Sequence, residues 1–155
     1  MSMSKVEHCL EKMGISLTET PKALARYCTV QHTGNLIFTS GGGPIKDGKI
    51  LYRGKVGSDL TLQEGKEAAR QSAFYMLSLI KGFLGDLDRV EKIIKVTAFV
   101  ASAPDFYDQP LVVDGFSEVM EEVFGACGKH ARTAIAVPQL PFNTPVEVDM
   151  VVEVN

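Results

Sequence analysis

The C-terminal stretch HARTAIAVPQLPFNTPVEVDMVVEV, residues 130–154, decides the fold class. Residues 131–137 and 146–153 indicate two strands, separated by a connection that carries three prolines. In the second strand, apolar residues alternate with the acidic residues Glu147, Asp149 and Glu153. Successive side chains of a strand point to opposite faces, so this strand should have one apolar and one acidic face.

Upstream of this stretch the pattern predicts further strands and two helices. The predicted strands are 24–31, 35–40, a short one near 55–57, and 93–101; the predicted helices run from Thr61 to Gly82 or Gly85 and from Gly115 to Phe124. Thr61 and Glu64 have capping-box spacing, Gly34 and Asn35 supply a hairpin turn with positive φ, and Pro110 is expected to interrupt the segment before the last helix. This order predicts an α+β fold, a mixed sheet with two helices packed on one face.

The two predicted helices leave the other face of the sheet uncovered. Apolar strand positions on that face would be exposed in a monomer, and exposed apolar surface of this size indicates assembly. The sequence therefore predicts a homo-oligomer, and the architecture alone does not give its order.

Length and composition limit the number of domains and the kinds of partner that the chain is expected to have. With 155 residues, 45% hydrophobic and 23% charged, the chain is expected to form a single domain over 1–155, in which 1–20 is an N-terminal helical extension. No apolar run is long enough for a bilayer, and three scattered cysteines favour a reduced, cytoplasmic protein. The net charge of −3 and the dispersed histidines predict neither a nucleic-acid partner nor a metal site.

Arg132 and Glu147 are the strongest candidates for chemistry. Arg132 begins one C-terminal strand and Glu147 lies near the start of the next, so antiparallel pairing could bring them together. A guanidinium group can hold a carboxylate through two parallel hydrogen bonds, and a nearby carboxylate can hold a water and transfer its proton. Spacing alone equally fits a cross-strand ion pair without a catalytic role.

Several separate motifs resemble those of the Rid family, also known as the YjgF or L-PSP endoribonuclease family. The fifteen-residue step from Arg132 to Glu147, with Leu140-Pro141 between them, is similar to the family's C-terminal signature. Tyr27, Ser40 and Gly41, placed around Gly34-Asn35, resemble its N-terminal motif. The stretch VTAFVASAPDF, residues 96–106, resembles its middle block, so the matches spread over residues 24–154.

The resemblance implies a fold, an assembly and an activity. The implied fold is the chorismate-mutase-like unit, assembled as a homotrimer around a central barrel with pockets between subunits. The implied activity is the hydrolysis of imines and enamines of keto acids to the keto acid and ammonia, without cofactor or metal. Arg132 would bind the substrate carboxylate and Glu147 would position water, while Tyr27, Ser40, Gly41, Thr133 and Ala134 would shape the pocket.

Two positions depart from the pattern of the deaminase members. Ala134 stands where many of them carry a cysteine, and Asp114 is the best match to a pocket asparagine expected before the second helix. An aspartate beside Glu147 would raise the pKa of the glutamate and repel a carboxylate substrate. With these departures and the Gly41-Gly42-Gly43-Pro44 loop, the sequence resembles a less characterised branch of the family. For that branch, family resemblance predicts the fold more reliably than the substrate.

Three functions therefore stay open at the level of sequence. An imine or enamine deaminase needs Arg132 free to meet a ligand rather than held in a salt bridge. A non-catalytic protein that binds small carboxylates is favoured by Asp114 and Ala134. An endoribonuclease, the activity in the family's older name, is disfavoured by the acidic balance and the absence of a basic, aromatic patch in the sequence.

The first prediction concerns assembly. Light scattering at micromolar concentration should give a mass near three times that of the 16.9 kDa chain. A monomer would remove any site shared between subunits, and with it the mechanism that the resemblance implies.

Overall fold

The structure is a computed structural model that describes residues 4–155. Within these residues the chain forms a five-stranded mixed sheet, a two-stranded hairpin and three α-helices. The strands are β1 (Val30–Thr33), β2 (Leu36–Thr39), β3 (Ile45–Lys46), β4 (Lys49–Ile50), β5 (Val90–Ala101), β6 (Ala131–Val137) and β7 (Val146–Val154). The helices are α1 (Lys5–Lys12), α2 (Leu62–Leu84) and α3 (Gln109–Phe124). The predicted α+β class is confirmed.

The main sheet has the strand order β1-β2-β7-β5-β6. β5 and β6 are parallel because α3 carries the chain back between them, and all other neighbours are antiparallel. The predicted alternation of β7 is confirmed, since every second residue from Val146 to Val154 is buried and the residues between are half-buried. The buried positions join the core beneath α2 and α3, which includes Met76, Phe116 and Met120.

The ends of α2 are set by residues that sequence analysis identified. The Thr61 hydroxyl accepts from the Glu64 amide and the Glu64 carboxylate accepts from the Thr61 amide, so the predicted capping box is confirmed. The helix ends at Gly85, whose φ of 82° is readily accessible to glycine. Gly82 does not end it, because it lies inside the last turn against Thr20.

α3 begins earlier than expected. The prediction that Pro110 interrupts this segment is wrong: α3 starts at Gln109 and accommodates Pro110 in its first turn. The first amides of a helix have no partner within it, so a residue without N–H is tolerated there. The helix ends as predicted at Phe124, before Gly125 with a φ of 61°.

The first half of the chain differs most from the prediction. The strand expected at 24–31 begins only at Val30, so Tyr27 precedes it in irregular backbone. No strand forms at 55–57 in the described structure; Val56 instead makes isolated bridges to Leu60 and Ser102. In the hairpin turn before β2, Gly34 has a positive φ of 57° but Asn35 does not.

The N-terminal segment packs onto the core through α1. Ser4 caps the helix, Val6 and Leu10 are buried, and the Asp88 carboxylate accepts from the Lys5 and Val6 amides at 2.9 and 3.0 Å. Residues 1–3 of the expected extension lie outside the described residues. In the part of the chain that is described, no helix combines the length and apolar character required to cross a membrane.

The sheet face opposite α2 and α3, here called the open face, carries apolar side chains. Phe38 on β2 and Ile135 on β6 are 43% and 45% exposed, and Phe99 on β5 is half-buried between them. An uncovered face with apolar side chains was expected from the sequence, and it is the surface on which an assembly would form.

Packing between α2 and α3 generates the second prediction. A Cβ added at Gly115 would lie 2.1 Å from the Lys66 carbonyl oxygen, so Gly115→Ala should lower the free energy of unfolding by about 1–3 kcal/mol. Glycine to alanine in an uncrowded helix interior would instead stabilise by about 1 kcal/mol. Urea unfolding measures the change, with Glu121→Ala on the exposed side of α3 as the control. An unfolding midpoint at or above that of wild type would contradict the close helix contact.

Candidate functional site

Glu147 occupies a crowded place on the open face, at the start of β7. A Cβ added at Gly41 would lie 2.8 Å from the Glu147 Cδ, so residue 41 must be glycine for the carboxyl group to lie there. Between Phe38↔Val151 and Gly42↔Val148 the pairing of β7 shifts by one residue. The Gly41-Gly42 backbone thus passes directly beside the carboxyl group.

The shift in register is stabilised by a side chain. The Thr39 hydroxyl accepts a 2.9 Å hydrogen bond from the Met150 amide, which replaces a backbone partner at this point. The next residue, Ser40, donates from its hydroxyl to the Cys28 carbonyl at 2.7 Å.

The electrostatic environment of Glu147 favours a bound proton. Burial of the half-buried side chain raises the pKa of the Glu147 carboxyl, and the neighbouring Asp149 carboxylate raises it further. Among residues 4–155, no side chain forms an ion pair with Glu147 or donates a hydrogen bond to its carboxylate. Within one chain, the acidic neighbour that raises this pKa is Asp149, two residues along the same strand, and not Asp114.

Tyr27 lies close to Tyr75 of α2. Its hydroxyl accepts a long hydrogen bond of 3.5 Å from the Leu24 amide. The pKa of Tyr75 is raised mainly by burial and to a smaller extent by the neighbouring Tyr27. Tyr75 in turn packs against Gly42, where an added Cβ would lie 2.5 Å from its ring. Tyr75 was not identified as a site residue from the sequence.

Arg132 lies on the other side of the sheet from Glu147. Its Nη1 donates to Asp114 Oδ1 at 2.8 Å and to Ser117 Oγ at 3.2 Å, and its Nη2 donates to the Pro110 carbonyl at 3.3 Å. All three partners belong to α3, so the side chain points toward the helices. Asp114 is on α3 itself, rather than before the helix as expected.

The residues after Arg132 alternate between the two faces. The Thr133 hydroxyl accepts from Lys95 Nζ at 2.7 Å on the open face, while Ala134 packs against the helix-covered core. Burial, partly opposed by the bond to the Ala131 carbonyl, lowers the pKa of the neighbouring His130. Six of the predicted site residues therefore form two groups on opposite faces: Gly41, Thr133 and Glu147 on the open face, and Asp114, Arg132 and Ala134 on the helix side.

Within one chain these two groups do not meet. The expectation that Arg132 and Glu147 lie on adjacent antiparallel strands is wrong, because β5 pairs between β6 and β7. Val96 of β5 lies opposite Arg132, whereas Phe99 of β5 lies opposite Glu147. Two strand spacings and three residues along the strands separate the Cα atoms by about 14 Å.

Comparison with known proteins shows to which family the chain belongs. The family profile described as "YjgF/chorismate_mutase-like, putative endoribonuclease" matches residues 7–154, nearly the whole chain. The protein belongs to the YjgF family. The resemblance drawn from the sequence motifs is thereby confirmed.

Individual YjgF relatives are similar over their full lengths. "Protein TCP17" of Trypanosoma cruzi is 38% identical over 156 residues, which cover 100% of this chain and 98% of the relative. The crystal structure of protein Atu1372 from Agrobacterium tumefaciens, described as of unknown function, is 38% identical with a TM-score of 0.91 and covers 97% and 93% of the two chains. A "putative endoribonuclease" from Shewanella oneidensis is 30% identical, with a TM-score of 0.93 and coverage of 96% and 99%.

The unpaired carboxyl group of this YjgF protein generates the third prediction. A group whose pKa is higher in the folded than in the unfolded protein destabilises the fold once it is ionised; this cost is absent below the unfolded-state pKa and complete above the folded-state pKa. Glu147→Gln should therefore raise Tm at neutral pH, and the gain should shrink as the pH falls toward about 4. Thermal unfolding at several pH values measures it.

Glu153→Gln is the matched control, because Glu153 lies on the same face of β7 and accepts a hydrogen bond from Asn35 at 2.8 Å. It should give no such gain. A Tm of Glu147→Gln that is below wild type at neutral pH, or raised equally at all pH values, would contradict the assigned environment.

Proposed function

We propose that the protein hydrolyses reactive imines and enamines, releasing ammonia and the corresponding carbonyl compound, at a site shared between two subunits. The observation that carries the proposal is Glu147, a half-buried carboxyl group with a raised pKa and no ion-pair or hydrogen-bond partner among the described residues. The Gly41 backbone lies directly beside the carboxyl group, where a side chain at residue 41 would collide with it. A carboxyl group with a pKa shifted toward neutrality is suited to accept and return a proton.

The proposed reaction needs one water molecule, and two protons are carried in turn from oxygen to nitrogen. Glu147 accepts a proton from water as the water oxygen attacks the imine carbon, and returns this proton to the nitrogen, which gives a carbinolamine with one hydroxyl and one amino group. Glu147 then accepts the hydroxyl proton as the C=O bond forms and delivers it to the departing nitrogen as the C–N bond breaks, so that ammonia leaves. An enamine enters the same sequence after it tautomerises to the imine, with one proton gained on carbon and one lost from nitrogen.

Arg132 would orient the substrate from the neighbouring subunit. The two side chains lie on opposite faces of one chain, so a site containing both requires a second copy. Exposed Phe38 and Ile135 on the open face support such an assembly, and a trimer is the order implied by the family resemblance. A guanidinium group has five N–H donors; three are engaged with α3, and two are left for a ligand.

The fourth prediction tests the carboxyl group directly. Imino acids are generated in solution by an amino-acid oxidase and uncharged imines by a flavin amine oxidase, and their decay is followed with a semicarbazide trap. Wild-type protein should accelerate decay of at least one imine, and Glu147→Gln should lower kcat by about 100-fold or more, the usual contribution of a general acid–base group. Glu153→Gln should keep wild-type activity. An unchanged kcat in Glu147→Gln would contradict the proposal.

One observation favours the second candidate, a non-catalytic protein that binds small molecules on this fold. Asp114 forms a salt bridge with Arg132 at 2.8 Å, whereas the deaminase hypothesis from the sequence required that the arginine be free. Under this alternative, wild-type protein accelerates the decay of no imine, yet small carboxylates bind and Arg132→Ala weakens their binding.

A further inference from the structure

The Arg132–Asp114 pair lies where a ligand can reach it. The two side chains are 23% and 40% exposed, so the pair lies at the surface of the helix layer and not within the core. Ser117 and the Pro110 carbonyl complete the hydrogen bonds of the guanidinium group. Because the proposed function uses Arg132 as the substrate contact, the charge beside it determines which substrates it accepts.

Asp114 is held firmly in this position. The next residue, Gly115, packs its backbone against the Lys66 carbonyl of α2, where an added Cβ would lie 2.1 Å away. Phe116 is fully buried in the core. The helix is thus fixed by the two residues that follow Asp114, and the carboxylate cannot leave Arg132 through a movement of its backbone without disrupting this packing.

The other charged groups nearby do not restore a net positive charge. Lys66 on α2 is close enough for Asp114 to contribute to raising its pKa, but Lys66 already forms a 2.7 Å ion pair with Glu118. The four groups therefore consist of two cations and two anions. His130, which also lies near Arg132, has a lowered pKa, chiefly because it is buried.

We propose that Asp114 is a specificity-determining residue that neutralises Arg132, so that the site selects substrates presenting an uncharged carbonyl group, as in an amide or ester, over substrates presenting a free carboxylate. This inference rests on the proposed function for the role of Arg132. A neutral carbonyl oxygen can accept from the two N–H groups that α3 leaves available. A carboxylate at the same place would meet the Asp114 carboxylate at close range, and like charges this near disfavour binding.

The fifth prediction compares two probes of nearly equal shape, pyruvate and its neutral amide, pyruvamide, titrated into the full-length protein by NMR. Wild type should bind pyruvamide at least as tightly as pyruvate. Asp114→Asn keeps the size and the acceptor oxygen but removes the charge, and should strengthen pyruvate binding by about tenfold, equivalent to about 1.4 kcal/mol. Its affinity for pyruvamide should change little, so the ratio of the two affinities reports charge and not general structural damage.

Two further variants separate charge from geometry. Ser117→Ala removes the other side-chain bond to Arg132 Nη1 without a change of charge, and Asp108→Asn removes a charge at the start of α3, where it forms no capping bond. Both should keep the wild-type ratio. The inference is overturned if wild type prefers pyruvate, if Asp114→Asn leaves the ratio unchanged, if either control shifts it equally, or if neither probe binds.

Failure of this inference is distinguishable from failure of the proposed function. A shifted ratio in Asp114→Asn, together with no imine hydrolysis by wild type, would support the specificity role and refute the hydrolase. Hydrolysis that depends on Glu147, together with an unchanged ratio, would support the hydrolase and refute the role of Asp114.

Discussion

The pairing of β7 between β2 and β5 is the constraint on which the rest of the structure depends. Its buried residues provide the centre of the core beneath α2 and α3. Because β5 lies between β7 and β6, Arg132 on β6 and Glu147 on β7 are two strands apart, and their side chains face opposite sides of the sheet. The same pairing that stabilises the monomer thus keeps Arg132 and Glu147 apart within one chain.

The two side chains differ in their electrostatic compensation. Arg132 is matched by a carboxylate and by two further acceptors on α3. Glu147 is half-buried beside a second acidic residue, and no cation pairs with it in the described part of the chain. Uncompensated groups of this kind reduce stability and are common at sites that handle protons. In the proposed function, the chemical step therefore belongs to the β7 side and substrate selection to the α3 side.

Most of the fold could be predicted from the sequence because its strongest elements carry local signals. The alternation in β7 and the capping box at Thr61 each place an element correctly. The elements that were predicted wrongly, or not at all, each have an identifiable physical cause. Asp47-Gly48 is a hairpin signal, with φ values of 50° and 73° in the β3–β4 turn, but no hairpin was predicted there. Pro110 was predicted to interrupt its segment, but a proline is tolerated in the first turn of a helix, where its missing N–H costs no hydrogen bond.

The candidate site was harder to predict than the fold because its geometry depends on tertiary contacts. Sequence separation suggested that consecutive strands β6 and β7 would be neighbours, but the α3 crossover places β6 beside β5 instead. The pairing of Asp114 with Arg132 depends on which side of α3 faces β6. The effect of Asp149 on the pKa of Glu147 could have been predicted from the sequence, since residues two apart in a strand share a face.

β6 has a further property as the edge strand of the sheet. It pairs with β5 along one side only, so about half of its backbone amides point away from the sheet. Amide protons on that free side should exchange with solvent far faster than those of β7, which is bonded on both sides. Any molecule that covers this edge, whether a second copy or another protein, would slow exchange on the very strand that carries Arg132. Isotope exchange along β6 is thus an internal reporter of whether the arginine faces solvent or a partner.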